Sequence, residues 1–326
     1  MMITVSPLYP LKFNPIFKPK VWGGTKLQEL LKKDTVGNVG ESWEISGIED
    51  NVSEILNGPL KEKSLNWLLE IYKEKLVGEK VYKNFGNQFP LLFKFIDARE
   101  NLSVQVHPDD FLAKTRHNSF GKTELWYIID AEKNGELILG FNENMDPKKY
   151  LKTLSENKII EVLNSESIKT GDAFIIKPGT IHAIGAGVLL AEIQQTSDIT
   201  YRIYDWDRPD TNGQMRQLHT DLALDAIDFD QHKTRLVYSE EKNRPVHIGT
   251  TDFFSVNKLL LSKDYVRDLE EIPSFIVYMC LEGTALLETD DFSEEIKKGE
   301  TILIPAQLPE IKFTTNSASF LEVYIP

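Results

Sequence analysis

Short apolar runs separated by turn-forming residues constrain the fold of this chain more than any other feature of its sequence. The runs are rich in Val, Ile, Phe and Tyr, and Gly, Pro, Asn and Asp lie between them. Runs of this length and composition are typical of β-strands joined by tight turns. They cover residues 91–96, 124–129, 136–141, 173–178, 275–280, 285–289, 301–306 and 320–325.

Two segments carry helical spacing instead. Residues 59–83 place four apolar side chains three or four positions apart, and residues 146–164 carry a second apolar stripe, so each segment predicts one helix. Many short strands with few helices favour a β-sandwich or barrel over a doubly wound α/β fold. We therefore predict a mainly β protein with a few helices inserted in its N-terminal half.

A weak internal repeat predicts two related barrels. Residues 171–182 align with 299–310, because both segments begin with Gly and an acidic residue and continue as a strand and a turn. Upstream, residues 125–129 resemble 275–279, and a turn containing Gly follows each. Glu310 takes the position of His182 in the second copy. We place the boundary in the polar stretch 235–247, which gives domains 1–238 and 239–326, and we expect a site only in the first.

The charge of the chain limits its partners. Lys and Arg number 37 against 50 Asp and Glu, and the net charge of −13 repels polyphosphate backbones, so nucleic acid is not an expected partner. A small anion is still an acceptable substrate, because a few cations in a pocket outweigh a distant field that salt screens beyond about 8 Å. No window approaches the roughly 18 apolar residues of a membrane span, and residues 1–5 do not resemble a secretion signal. We expect a cytoplasmic protein with no membrane contact and no obligatory protein partner.

Four polar residues form a candidate metal site. Cys280 is the only cysteine, so an internal disulfide and a thiolate-rich metal site are excluded, and a metal must be held by nitrogen and oxygen. Gln105 and His107 are two positions apart, which in a strand directs both side chains to one face, about 7 Å apart. Glu124 opens the next strand, and His182 follows a Pro-Gly turn. Two imidazoles, a carboxylate and an amide oxygen suit zinc.

Other histidines and two further motifs have simpler interpretations. The remaining histidines match no ligand spacing and are interpreted as structural or exposed; they are His117, His219, His232 and His247. Residues 22–24 read as a turn with a core tryptophan and residues 41–45 as an alternating strand, so we assign neither to the site.

The turn before His182 resembles a known signature. Gly171, five residues, Lys177-Pro178-Gly179 and then His182 resemble the second signature of cupins, with Lys177 where cupins usually have Pro. Gln105 to His107 with Glu124 is similar to the first signature as it is modified in type I phosphomannose isomerases. The match runs over roughly residues 13–210 and continues in segments 21–24, 40–44, 91–94, 102–109, 121–124 and 197–202. At this length the chain resembles the short bacterial form of that family.

The resemblance implies two cupin-type jelly-roll barrels and an aldose–ketose isomerase that interconverts mannose 6-phosphate and fructose 6-phosphate through an enediol. It implies one Zn²⁺ per chain, held by Gln105, His107, Glu124 and His182. Lys94 and Ser103 match positions near the family's substrate and phosphate groups. Other residues match its catalytic pocket, namely Lys122, Asp198, Arg202 and, with a spacing that differs by one, Glu192. Some longer members carry a His where this chain has Gly121, so the identity of the base stays open between Glu192 and Asp198.

Two other functions are compatible with the same residues. Two His and one Glu also form the facial triad of iron-dependent dioxygenases, although a fourth ligand at Gln105 and a cationic pocket argue against that chemistry. A non-catalytic cupin that binds a sugar phosphate is the other alternative. It would keep Lys94 and the metal but would not exchange a sugar proton with solvent.

Overall fold

Antiparallel β-sheets dominate the computed structural model, which describes residues 6–210, 212–230 and 233–326. The first twelve strands are β1 (Leu11–Lys12), β2 (Ile16–Lys18), β3 (Glu41–Ile45), β4 (Leu91–Ala98), β5 (Val104–Val106), β6 (Glu124–Ala131), β7 (Glu136–Phe141), β8 (Leu163–Ser167), β9 (Ala173–Ile176), β10 (His182–Ile184), β11 (Val188–Gln195) and β12 (Tyr201–Tyr204). The remaining strands are β13 (Pro245–Thr250), β14 (Ser255–Leu261), β15 (Tyr265–Asp268), β16 (Ile276–Glu288), β17 (Ser293–Lys297), β18 (Thr301–Ile304), β19 (Glu310–Thr314) and β20 (Ala318–Tyr324).

The helices are short, and those of the described residues all precede residue 238. They are α1 (Lys26–Glu29), α2 (Leu65–Tyr72), α3 (Glu74–Val77), α4 (Glu79–Phe85), α5 (Asp110–His117), α6 (Pro147–Ser155) and α7 (Thr220–Ala226), with a 3₁₀ turn over Ile159–Val162. A helix that crosses a bilayer needs about 20 apolar residues, and no helix in residues 6–210, 212–230 and 233–326 meets that requirement. The predicted mainly β architecture, with helices in the N-terminal half, is confirmed.

Two sheets face each other in the N-terminal half. One has the order β2-β3-β4-β11-β6-β9, and the other has the order β12-β5-β10-β7-β8. Successive side chains of a strand point to opposite faces, and β6 follows this rule: Trp126 and Ile128 pack in the core between the two sheets, whereas Leu125 and Tyr127 pack on the outer face. The inner face of β6 therefore points into the space that the two sheets enclose.

The C-terminal half is built around the long strand β16. Its first part pairs with β18 and β20, and its second part pairs with β17 and β19. The sequence predicted two strands here, 275–280 and 285–289, with a turn between them; that prediction is wrong, because Gly283 lies inside one continuous strand at φ 78°. The sheets of both halves stay open rather than closing into barrels.

The two halves pack closely against each other. Leu125 and Tyr127 share one apolar core with Val277 and Met279 of β16. β1 also lies in the C-terminal sheet, where Leu11 pairs with Leu303 of β18. The division of the chain at residue 238 stays a prediction.

The internal repeat is visible in the structure with a corrected register. Gly171 donates its N–H to the carbonyl of Ile128, and Gly299 donates to Cys280 in the same way. In the first copy Glu124 pairs with Ile176, and at the equivalent place in the second copy Ile276 pairs with Ile304. Glu124 therefore corresponds to Ile276, two residues away from the alignment that matched 125–129 with 275–279.

The segment 59–83 forms three short helices, so the prediction of one helix there is wrong. Ser64 caps α2 by accepting a hydrogen bond from the N–H of Trp67. Lys73 then takes φ 50° and Gly78 takes φ 94°, and both values interrupt the right-handed helical backbone. Gly78 also approaches Pro273 so closely that a Cβ at position 78 would lie 2.2 Å from the Pro273 carbonyl oxygen. Tertiary packing therefore overrides the apolar periodicity.

The segment 146–164 is also more divided than its pattern predicted. Asp146 accepts a hydrogen bond from the N–H of Lys149 and caps α6, which begins with Pro147 as a favourable first residue. The helix ends at Ser155, and the chain continues through the 3₁₀ turn into β8 at Leu163. One predicted helix is thus a helix, a turn and the first residues of a strand.

We expect Gly78→Ala to lower the free energy of unfolding more than Gly86→Ala does. Both glycines have positive φ, 94° and 55°, so each substitution adds backbone strain of about 1–3 kcal/mol. Only position 78 also adds a clash with neighbouring backbone, which costs about 1–3 kcal/mol more, whereas a Cβ at position 86 meets nothing within 4 Å. Urea unfolding followed by circular dichroism measures the difference, and equal losses would contradict the role of this contact.

Candidate active site

Three buried ligand-type side chains meet between the two N-terminal sheets. His182 is the first residue of β10 and His107 directly follows β5, so both come from the five-stranded sheet. Glu124 opens β6 in the facing six-stranded sheet. The exposed fractions of His107, Glu124 and His182 are 1%, 0% and 0%. Their ligand atoms lie within 4.8 Å of one another, and this is the one group of its kind found among the described residues.

The nitrogen atoms of both imidazoles face the carboxylate. His107 Nε2 lies 3.3 Å from Glu124 Oε1, and His182 Nε2 lies 4.0 Å from Glu124 Oε2. The Nδ1 atoms point away: that of His107 lies 2.9 Å from the Ile199 carbonyl oxygen, and that of His182 lies 2.8 Å from the Thr180 carbonyl oxygen. A carbonyl oxygen can only accept a hydrogen bond, so Nδ1 must be the donor in each contact and both rings carry hydrogen on Nδ1. The Nε2 lone pairs are thereby directed at one point, as in metal sites whose outer partners orient the ligands.

The Glu124 carboxylate is the feature that most strongly fits a cation. Both of its oxygens are buried, and neither accepts a well-directed hydrogen bond from the residues that the structure describes, although Lys122 lies close to one of them. Burial acts to raise the pKa of the Glu124 carboxyl, but the charge of Lys122, whose Nζ lies 2.9 Å from Oε1, helps to hold that pKa well below its ordinary value. Burial and Lys122 lower the pKa of His107 to about 3. An ionised carboxylate and neutral imidazoles are the protonation states that metal binding requires.

Gln105 completes the predicted set of four. It pairs with His182 across β5 and β10, and its Nε2 lies 3.2 Å from His182 Nε2. Rotating the Gln105 side-chain amide by 180° would exchange its nitrogen and oxygen, so that the oxygen would face the cluster. Two imidazoles, one carboxylate and one amide oxygen fit a divalent ion that accepts nitrogen and oxygen.

A cavity of about 450 Å³ lies beside this cluster, and its lining includes Gln105 and Lys122, which contact the two histidines. The other predicted site residues all line it, namely Lys94, Ser103, Gln105, Lys122, Glu192, Asp198 and Arg202. Lys122 joins the cavity to the cluster, because its Nζ lies 3.2 Å from His107 Nε2. The structure thus brings together all ten residues that the sequence singled out.

Lys94 and Glu192 form a buried ion pair on the cavity wall. They are neighbours across β4 and β11, and Lys94 Nζ donates to Glu192 Oε1 at 2.7 Å and to Gln194 Oε1 at 2.7 Å. The other Glu192 oxygen accepts from Trp126 Nε1 at 2.9 Å. Burial and the charge of Glu124 raise the pKa of the Glu192 carboxyl. Asp198, by contrast, is exposed.

Two family descriptions match this chain. Residues 11–146 match phosphomannose isomerase type I, catalytic domain, and residues 246–325 match mannose-6-phosphate isomerase, cupin domain. The mannose-6-phosphate isomerase ManA of Bacillus subtilis (strain 168) is 36% identical over 308 residues, which cover 93% of this chain and 95% of that protein.

Solved structures agree with these matches. The mannose 6-phosphate isomerase from Bacillus subtilis superposes with a TM-score of 0.88 at 33% identity, over 97% of this chain and 99% of that chain. A mannose 6-phosphate isomerase bound with zinc and yttrium superposes with a TM-score of 0.76 at 18% identity, over 97% and 99% of the two chains.

The chain belongs to the type I phosphomannose isomerase family. The resemblance drawn from its motifs is confirmed, and so are the class of enzyme, mannose-6-phosphate isomerase, and the cupin-type jelly-roll fold.

The sequence missed several residues that line the cavity of this phosphomannose isomerase. They are Lys18, Lys20, Trp22, Glu41, Trp43, Asn51 and Arg216. The family resemblance included segments 21–24 and 40–44, which contain Trp22, Glu41 and Trp43. That resemblance was the sequence signal that could have assigned these residues to the cavity. Burial acts to raise the pKa of Glu41, but Lys94 and Lys20 lower it to about 2. No sequence signal pointed to Arg216.

The remaining histidines lie away from the cluster where the structure describes them. His117 contacts the hydroxyl of Tyr201, and His219 accepts a hydrogen bond from the backbone N–H of Arg202. His247 is exposed. His232 lies outside the described residues.

We expect His107→Ala and His182→Ala each to lose divalent-ion binding. Removing only an outer partner of a metal ligand costs about 10–100-fold in affinity, so the loss of a ligand costs about 100-fold or more. Equilibrium dialysis with elemental analysis measures the bound ion, and circular dichroism checks that each variant folds. The matched control is His247→Ala, which removes an exposed histidine and keeps the ion. A folded His107→Ala protein with one tightly bound ion per chain would contradict the assignment.

Proposed function

We propose that this chain interconverts mannose 6-phosphate and fructose 6-phosphate through an enediol intermediate, with one zinc ion held by Gln105, His107, Glu124 and His182. The buried Glu124 carboxylate faces two oriented imidazoles and has Lys122 as its charged neighbour, and this arrangement is the observation that carries the proposal. The isomerase ManA of Bacillus subtilis and the related structure bound with zinc support the substrate and the metal.

The reaction explains why such a site needs positive charge. Moving a proton between C1 and C2 of a sugar produces an enediolate, whose negative charge is spread over two adjacent oxygens. When bound, zinc supplies a Lewis acid that stabilises such charge and a template that orients the sugar, and removes several kcal/mol from the barrier. Aldose–ketose isomerisation has no net redox step, so a redox-inactive ion suffices.

Glu192 is the carboxylate that we assign to proton transfer. It lines the cavity and is 3% exposed, and burial together with the charge of Glu124 raises the pKa of its carboxyl, which is the direction that favours uptake of a proton. Lys94 and Trp126 fix both of its oxygens. Asp198 also lines the cavity, but it is exposed and lacks the burial that the same role requires.

The cationic side chains balance the substrate's charge. Lys122 lies beside the metal ligands, where its ammonium faces an oxyanion that develops at C1 or C2. We assign Arg202 to the phosphate, because a planar guanidinium binds phosphate with two parallel hydrogen bonds. Ser103 is buried on the same wall and offers a hydroxyl, and Lys94 keeps its place near the substrate as the partner of Glu192. Residues 1–238 would then hold the whole site, and residues 239–326 would support it without a metal.

The decisive experiment follows the sugar itself. Protein purified with its metal content measured is incubated in D₂O with mannose 6-phosphate, and NMR follows product and solvent deuterium. We expect fructose 6-phosphate to form with deuterium incorporation, and glucose 6-phosphate to react far more slowly. Binding without deuterium incorporation would support the non-catalytic cupin instead, and oxygen consumption with bound iron would support the dioxygenase.

We expect Arg202→Ala to give a folded, zinc-loaded protein with greatly reduced turnover of mannose 6-phosphate. A lost charge-assisted hydrogen bond costs about 1.5–3 kcal/mol, which is about 10–150-fold in kcat/KM. Arg244→Ala is the control, because Arg244 is 62% exposed in its side chain and pairs with Glu241 on the surface. Unchanged kinetics in Arg202→Ala would remove this residue from the mechanism.

A further inference from the structure

A loop after β12 places a second arginine beside Arg202. The chain leaves β12 at Tyr204 and returns antiparallel to itself, with a bridge between Pro209 and Met215. Three hydrogen bonds fix the end of the loop to Arg202. The backbone N–H of Arg202 donates to His219 Nδ1, and the backbone carbonyl of Arg202 accepts from the N–H of His219. Nη1 of Arg202 also donates to the carbonyl of Gln217. Arg216 precedes Gln217 and lines the same cavity as Arg202.

Asp205 holds the guanidinium of Arg216 in place. The Asp205 side chain is 3% exposed, and its two oxygens accept from Nε of Arg216 at 2.6 Å and from Nη2. Among the described residues, Nη1 of Arg216 donates to none. Arg208 donates to the same carboxylate at 3.2 Å but does not line the cavity. Asp205 thus holds the Nε and Nη2 side of the Arg216 guanidinium and leaves Nη1 available for a ligand.

Most other cations of the cavity already have a carboxylate partner. Lys94 pairs with Glu192, Lys122 with Glu124, and Lys20 with Glu41. Arg202 forms no ion pair in the part of the chain that the structure describes, and its buried Nε has no hydrogen-bond acceptor. A buried donor without a partner costs free energy, so the orphan Nε of Arg202 and the open side of Arg216 both favour an anion between them.

We propose that Arg202 and Arg216 together bind the phosphate dianion of the sugar, that Arg216 sets the preference for a phosphorylated substrate, and that Asp205 is its positioning residue. The proposal rests on the proposed function, because it assigns the phosphate end of the same substrate. Arg202 pairs with Gln105 across β12 and β5. This pairing places Arg202 next to one of the proposed metal ligands, and Arg216 reaches the same cavity from the loop that follows β12.

The electrostatics of the free site agree with this assignment. Burial lowers the pKa of Arg202, and the positive charge of Arg216 lowers it further, while Asp205 offsets part of the effect. Two guanidinium groups thus repel each other across the cavity wall. A dianion between them removes that repulsion and accepts hydrogen bonds from both guanidinium groups, since the planar guanidinium can donate two parallel hydrogen bonds to a phosphate.

The first test compares two sugars in one variant. We expect Arg216→Gln to lower kcat/KM for mannose 6-phosphate by about 10- to 100-fold, mainly through KM, and to leave kcat/KM for unphosphorylated mannose unchanged. The matched control is Arg208→Gln, which removes a guanidinium from the same Asp205 without removing a cavity side chain; its kinetics stay within about two-fold. Equal losses for both sugars in Arg216→Gln would overturn the proposal.

The second test addresses the positioning role of Asp205. We expect Asp205→Asn to raise KM for mannose 6-phosphate as Arg216→Gln does, and the double variant to be no worse than Arg216→Gln alone, because both changes remove one interaction. A purely structural role of Asp205 would give additive losses together with a lower melting temperature. Additive losses would overturn the positioning role.

Direct binding of inorganic phosphate separates this proposal from the proposed function. Calorimetric titration of the metal-loaded protein with phosphate is expected to show binding that Arg216→Gln weakens at least 10-fold and Arg208→Gln does not. If that difference appears but mannose 6-phosphate is not isomerised, the proposed function fails and the anion site stands. If phosphate binds equally to both variants, the anion site is overturned whatever the isomerase assay shows.

Discussion

A buried carboxylate, to which no well-directed hydrogen bond comes from the described part of the chain, is the constraint on which the rest of this structure depends. Glu124 lies between two packed sheets at 0% exposure, where an uncompensated charge is expensive and a paired one is tolerated. Lys122 supplies one positive neighbour, and two neutral imidazoles supply lone pairs but no charge. Lys122 pairs with this carboxylate, and the two imidazoles direct their lone pairs at the same place, so the arrangement also fits a cation.

The same strand that presents Glu124 also joins the two halves of the molecule. Side chains of β6 alternate, so Glu124 and Trp126 face the enclosed space while Leu125 and Tyr127 face the C-terminal sheet. A shift of one residue in β6 would bury Leu125 in the site and expose Glu124 to the interface core. The apolar packing between the halves therefore fixes the register that places Glu124 opposite His107 and His182.

The sequence predicted those parts of the molecule whose signals are local. Gln105 and His107 lie two positions apart at the end of one strand, and the turn before His182 has its own spacing, so the sequence could name four candidate ligands. Arg216 could not, because only the fold of the loop after β12 and the contact with Asp205 bring it to the cavity. The close approach at Gly78 could not be predicted for a related reason, because the backbone that a Cβ there would meet belongs to Pro273, which is far away in the chain.

The C-terminal half shows what happens to the same architecture without the buried charge. Ile276 takes the place of Glu124 at the start of β16 and is 1% exposed, and Glu310 takes the place of His182 on the surface. An apolar side chain at the position of Glu124 lets the interior of this half pack as an ordinary core, with Tyr278 and Cys280 beside it. Side chains of β16 alternate between its two faces, and those on the other face, Val277 and Met279, still pack against the N-terminal sheet. The second copy thus retains the apolar residues that join the sheets and lacks the counterparts of Glu124 and His182, and its packing supports the strand that carries Glu124.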